Sequence, residues 1–276
     1  MSKIRLGRIA FINVEPIYYA LEREIIPHSF QLVADTPARL NNQMRDGQLA
    51  ISPCSCIEYA RRFRQYYLAK DLCISSYGPV MSVLLLSQKP FSELAGKEIL
   101  VSGQSHTSVV LTRLLLEDCY KVRVRYCQGS VETAINSGDN PIAVLTIGDE
   151  ALRLRNHKDY PYTLDLASAW HEWTHLPFVF AVWVVNRKAK EDGLLNDDPA
   201  PILRQSLDFG LSHLDQVIDV AVKKTPLTKT ELTVYYQQAL NYNFDSPQLE
   251  GLILFYQKIT AHGWIEDLPE IKFFED

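Results

Sequence analysis

Four times in its first 150 residues this chain runs from a short apolar strand pattern into small polar residues that open a helix. The junctions read R-I-A-F-I-N-V-E-P around Asn13, L-A-I-S-P-C-S-C-I-E around Ser52 and Ser55, I-L-V-S-G-Q-S-H-T-S-V-V around Ser105, Thr107 and Ser108, and A-V-L-T-I-G-D-E-A-L around Gly148 and Asp149. Repeated alternation of strand and helix marks an α/β fold. In open α/β sheets, ligands collect beyond the carboxyl ends of the strands, where unpaired N–H groups and the positive ends of helix dipoles face outward. A small anion is the expected ligand.

The pattern predicts a strand over 4–11, a helix over 16–24 and a strand over 29–34. Thr36, Pro37 and Gly47 supply the cap, first turn and stop of the next helix, followed by a strand over 49–52 and a helix over 55–65. V-M-S-V-L-L-L-S (80–87) reads as a buried strand. The alternation restarts as strands over 98–102, 122–126 and 142–146, with helices over 107–118, 130–136 and 149–153. F-V-F-A-V-W-V-V (178–185) is expected to return beside 80–87, and helices are expected over 200–222, 228–239 and 247–261. These elements imply a discontinuous lobe one (1–88 and 178–276), a lobe two (89–177) and two crossings that would make a hinge.

A length of 276 residues with 47% hydrophobic and 22% charged residues suits two well-packed lobes. The net charge of -5 provides no basic footprint, so nucleic acid is not an expected partner, and the Arg61, Arg62, Arg64 run reads as a solvated helix face. No stretch reaches the ~18 consecutive apolar residues of a membrane helix, so no membrane partner is expected. The opening M-S-K-I-R-L-G-R lacks a secretory apolar region, which implies a cytoplasmic location. The 5 cysteines are scattered without zinc-site spacing, so neither a metal nor a disulfide is expected. H-E-W-T-H (171–175) lacks the glutamate spacing of a zincin and reads as an aromatic loop. No Ser-His-Asp order, paired-carboxylate motif or Gly-rich phosphate loop supports a hydrolase, glycosidase or nucleotide enzyme.

G-R-I-A-F-I-N-V-E-P-I-Y-Y, G-P-V-M-S-V-L-L-L-S, S-H-T-S-V, I-G-D-E-A-L and H-E-W-T-H-L-P-F-V-F-A-V-W occur in this order over about 4–186. Together they resemble the chorismate dehydratase family of the futalosine route to menaquinone. The resemblance implies a two-lobed, type 2 periplasmic-binding-protein-like α/β fold with a ligand cleft between the lobes. It also implies loss of water from chorismate to give 3-[(1-carboxyvinyl)oxy]benzoate, with no cofactor. The related enzyme that makes 1,4-dihydroxy-6-naphthoate shares the fold, but its first strand typically ends in an S-P-C-P-N-D-like motif where this chain reads A-F-I-N-V-E-P. A non-catalytic small-anion binder on the same fold is a further alternative.

Chorismate is a dianion whose C3 hydrogen is vinylogous to the ring carboxylate and whose C4 hydroxyl leaves as water. Neutral donors that hold the carboxylates and stabilise the developing dienolate suit that reaction. The resemblance assigns catalytic roles to Asn13 and Ser82. Substrate binding is expected at Ser55, Ser105, Thr107, Ser108, Gly148 and Asp149. Read as residues alone, Asn13 and Asp149 could equally cap helices, and Ser82 could be a buried hydroxyl bonded to backbone. His106 is the one titratable residue in these motifs suited to act as a base, and the substrate's enolpyruvyl carboxylate is the alternative base.

Overall fold

The computed structural model describes residues 4–103 and 106–275 and divides into two compact units. Unit 1 opens with β1 (Ile4–Ile9), α1 (Glu15–Glu22), β2 (Phe30–Asp35), α2 (Pro37–Arg45), β3 (Ile51–Ser55), α3 (Cys56–Arg62) and β4 (Tyr66–Ser76). Unit 2 follows with β5 (Val83–Ser87), β6 (Glu98–Val101), α4 (His106–Leu114), β7 (Arg125–Gln128), α5 (Val131–Ser137), β8 (Ala143–Ile147), α6 (Gly148–Leu154), β9 (Tyr162–Asp165) and α7 (Leu166–Thr174). The chain re-enters unit 1 through β10 (Phe178–Asn186), α8 (Arg187–Glu191), α9 (Ala200–Ser212) and α10 (Leu214–Ala221). α11 (Lys229–Val234), continued by a π turn over Tyr235–Ala239, belongs to unit 2, and α12 (Ser246–Ala261) returns to unit 1.

Among the described residues each unit is built on one five-stranded sheet, ordered β2-β1-β3-β10-β4 in unit 1 and β7-β6-β8-β5-β9 in unit 2. β1 runs parallel to β2 and β3, and β10 runs antiparallel to β3. In unit 2, β6 runs parallel to β7 and β8, while β5 runs antiparallel to β8 and β9. Local chemistry sets many of the boundaries. Thr36 Oγ1 accepts from Arg39 N at 3.4 Å, Pro37 starts α2, and Gly47 leaves it with φ +69°. Asp245 and Gln248 form the capping box that opens α12.

In unit 1, α1 and α9 touch backbone to backbone. Ser206 Oγ donates to Ile17 O at 2.5 Å, and a Cβ placed on Gly210 would lie 2.0 Å from Pro16 O. Gly210→Ala must therefore push α9 off the start of α1. It should cost about 1–3 kcal/mol, read as a lower denaturation midpoint at unchanged m-value; an unchanged midpoint would show that the helices part freely.

The division differs from the sequence expectation at two places. Residues 80–88 were expected in lobe one, but β5 pairs with β8 (Leu85 opposite Leu145) and with β9 (Leu85 opposite Leu164). β10 accordingly lies beside β3 and β4 and is not the neighbour of 80–87. A strand buried on both faces carries no periodicity that tells one sheet from another, so long-range pairing decides its place. Residues 225–240 likewise join unit 2, although that helical segment reads as part of lobe one. β4 escaped notice because Lys70 and Asp71 interrupt its apolar run, and Asp71 takes φ +57° there. The H-E-W-T-H segment forms the end of α7 and its left-handed cap at His175, not a loop.

Candidate functional site

In unit 1, parallel pairing of β1 and β3 brings their carboxyl ends to one edge of the sheet. Asn13 and Ser55 lie there. Asn13 sits in a one-turn 3-10 segment, Ile12–Val14, before α1. Val14 occupies the cap position of α1 with no side-chain cap bond, so Asn13 does not cap that helix. Its Oδ1 is buried with no hydrogen-bond partner among the described residues. Such an acceptor typically costs about 1–3 kcal/mol, which a ligand donor would recover.

Buried groups hold this turn. Tyr242 donates its hydroxyl to Asn13 O at 2.8 Å. Glu15, 1% exposed, receives Arg8 Nη2 at 2.8 Å and Lys224 Nζ at 2.5 Å, and Arg8 also pairs with Glu22. On β3, the fully buried Ser52 donates to Pro53 O at 3.0 Å, and a Cβ on Gly7 would meet its Oγ at 2.4 Å. Ser55 is half-buried, and its Oγ caps α3 by accepting from Glu58 N at 3.3 Å. That bond leaves the Ser55 hydrogen for another acceptor.

In unit 2, β6 and β8 end at the edge where β5 begins, because Val83 lies opposite Ile147 and Val101 opposite Leu145. Ser82, Thr107, Ser108, Gly148 and Asp149 come to this edge. Gly148 has φ +57° and donates its N–H to Ser82 O at 2.7 Å. Glycine takes that conformation without the strain an L side chain meets. Asp149 lies in the first turn of α6, whose cap position is Ile147 with no side-chain cap bond, so it does not cap the helix. Ser82 is 3% exposed, and its Oγ accepts from the hydroxyl of Tyr235 at 3.0 Å.

The residues before Ser82 are fixed by Asp165. Its carboxylate accepts from Val80 N at 3.1 Å and Met81 N at 2.8 Å, and from Ala167 N and Ser168 N at the start of α7. Met81 takes φ +63° within this clamp. Burial pushes the Asp165 carboxyl above its usual range while the four backbone donors pull it back.

At α4, Thr107 and Ser108 are each 5% exposed and share the core-facing stripe with Leu111, Thr112 and Leu114, whereas His106 is exposed. Both first-turn hydroxyls are therefore on buried side chains. Thr112 Oγ1 donates to Ser108 O at 2.7 Å. Ser105, also expected to bind substrate, lies outside the described residues. Among the described residues no group of three or more His, Cys, Asp or Glu side chains is gathered to hold a metal ion. Also among them, no helix is long and apolar enough to cross a membrane.

Sequence reasoning missed Asp165 and Tyr235. Asp165 carried a readable signal, an aspartate directly before the helical run L-A-S-A-W that it caps. Tyr235 carried none, since 153 residues separate it from Ser82.

A protein-family model described as menaquinone biosynthesis matches residues 4–261. A chorismate dehydratase of Thermus thermophilus is 28% identical over 273 residues, 92% of this chain and 94% of that protein. A chorismate dehydratase of Campylobacter jejuni is 29% identical over 198 residues, 70% of this chain and 73% of its own length. Among solved structures, a protein of Archaeoglobus fulgidus aligns with TM-score 0.76 at 19% identity, covering 95% of this chain and 98% of its own. The periplasmic aliphatic sulphonate binding protein SsuA of Escherichia coli aligns with TM-score 0.66 at 13% identity, covering 97% and 90%. The fold is periplasmic-binding-protein-like, as the resemblance implied.

Proposed function

Since this chain belongs to the menaquinone biosynthesis family, we propose that it is a chorismate dehydratase, a carbon-oxygen lyase that removes water from chorismate to give 3-[(1-carboxyvinyl)oxy]benzoate. The observation that carries this reading is the likeness to the Thermus thermophilus enzyme across 92% of the chain. The reaction takes the proton from C3, spreads the electron pair onto the ring carboxylate as a dienolate, and breaks the C4–O bond. The C3 proton and the departing hydroxyl together make one water, and the ring becomes aromatic.

The expected site residues suit that chemistry chiefly as neutral donors. Ser82, and Asn13 through its Nδ2, would donate to oxygens on which charge develops, while the unpartnered Asn13 Oδ1 would accept from the substrate hydroxyl. Backbone N–H groups at the start of α4 would receive a carboxylate, with Ser55, Ser105, Thr107 and Ser108 in support. Gly148, whose N–H is held by Ser82 O, would let the substrate approach the backbone closely, and Asp149 would organise that turn rather than touch the anion. The base is the enolpyruvyl carboxylate of the substrate itself, since a held intramolecular group has a high effective concentration.

Incubating the purified protein with chorismate tests the reading. The expected product is lighter by one water, and the diene absorbance is lost with turnover. His106→Ala should keep kcat within about threefold, and a chorismate analogue lacking the enolpyruvyl carboxylate should bind without losing water. Tight binding of chorismate with no product would make the chain an anion binder. Turnover of cyclic dehypoxanthinylfutalosine in place of chorismate would make it the naphthoate-forming enzyme.

A further inference from the structure

Tyr235 is fully buried in unit 2, and its hydroxyl donates to Ser82 Oγ at 3.0 Å. A serine hydroxyl has one hydrogen and two lone pairs. A neighbour that donates to it occupies a lone pair and leaves the hydrogen to point elsewhere. We propose that Tyr235 is a positioning residue for the reaction: by donating to the Ser82 oxygen it commits the Ser82 hydrogen to the substrate. This rests on the chorismate dehydratase reading with Ser82 at the reacting atoms.

The surroundings of Ser82 support the assignment. Its backbone is held by Gly148 N on its carbonyl and by the Asp165 clamp on Val80 and Met81. With the main chain fixed, the rotation that remains is that of the hydroxyl, and Tyr235 biases it. Tyr235 opens the π turn Tyr235–Ala239, and successive residues Tyr235 and Tyr236 are both buried there. A π turn within a helix is uncommon and recurs at functional sites. α11, which carries this turn, is anchored by the Thr228–Glu231 capping box and by the pairing of Arg155 with Glu231. Burial pushes the Tyr235 hydroxyl well above the usual phenol range; the bond to Ser82 pulls it back and the charge of Asp149 raises it further. It therefore stays protonated, and a donor, throughout the working pH range.

The test is a kinetic cycle over wild type, Tyr235→Phe, Ser82→Ala and the double variant, with thermal midpoints measured alongside. Tyr235→Phe should lower kcat about 10- to 100-fold while KM moves less than about threefold, the signature of a misdirected donor rather than a lost binding contact. On the Ser82→Ala background the same change should alter kcat less than about twofold, since there is no hydroxyl left to orient. A purely structural tyrosine would instead lower activity by the same factor on both backgrounds. Should the phenylalanine variant fail to fold, 3-fluorotyrosine at 235 keeps both shape and donor and should hold kcat near wild type. Substituting 4-aminophenylalanine there, which still donates but more weakly, should lower it several-fold. A folded Tyr235→Phe with wild-type kcat, or equal losses on both backgrounds, would overturn the inference and leave the dehydratase reading standing. A wild type that does not dehydrate chorismate would overturn that reading and this inference with it.

Discussion

Ser82→Ala should lower kcat on chorismate by about 100- to 1000-fold while the protein stays folded, the usual effect of deleting one preorganised donor from a developing charge. Two features of the structure make the change clean. Ser82 is at the edge of β5, and its backbone bonds to Gly148 and the Asp165 clamp beside it do not use the hydroxyl. Replacing it leaves the Tyr235 hydroxyl without this acceptor in a buried setting. That should cost stability about 1–3 kcal/mol, too little to unfold a chain of this size. Steady-state kinetics with a thermal midpoint in parallel separate the two effects. A folded variant with kcat within threefold of wild type would remove Ser82 from the chemistry.

Glu15→Ala should destabilise the protein by about 3–5 kcal/mol, more than Gly210→Ala. Glu15 is 1% exposed and accepts from Arg8 at 2.8 Å and from Lys224 at 2.5 Å. Lys224 is partly exposed and returns to water when the carboxylate goes, so its share of the loss is small. Arg8 is buried, lies over the Tyr18 ring at 5.7 Å from its centroid, and retains the Glu22 pair. A guanidinium that has lost one of two carboxylates inside the unit carries most of the penalty. Denaturant unfolding should report it as a lower midpoint, with kcat falling as well, because Glu15 lies two residues from Asn13 and ties its turn to β1. The paired change Arg8→Met with Glu15→Leu should recover part of the lost stability. A loss under about 1 kcal/mol for Glu15→Ala would mean that Arg8 finds other solvation.

The same contacts divide what could be read from the chain from what could not. Thr36, Pro37 and Gly47 announce α2 because a cap bond, a fixed φ and a left-handed stop are settled within a few residues of one another. The junctions at Asn13, Ser55, Thr107 and Gly148 could be placed at strand ends for the same reason, since apolar strand and polar helix start are adjacent in sequence. Their family resemblance added a chemistry that residue types alone leave open between capping and catalysis.

The sequence by itself determined the α/β class, most of the helices and strands, and the positions of Asn13 and Gly148 at element boundaries, all features decided by local backbone preferences; Ser82, read inside a strand over 80–87, lies just before β5. Tertiary structure alone decided that β5 joins the second sheet, that residues 225–240 fold into unit 2, and that Thr107 and Ser108 are buried. It alone decided that the cap positions of α1 and α6 fall on Val14 and Ile147 rather than on Asn13 and Asp149, and that Tyr235 meets Ser82 across 153 residues. The physical reason is that an apolar strand can satisfy its backbone against more than one neighbour, and a buried hydroxyl can bond to any partner that arrives. Which one does so depends on side chains packing from distant parts of the chain, and that information is absent from any local window.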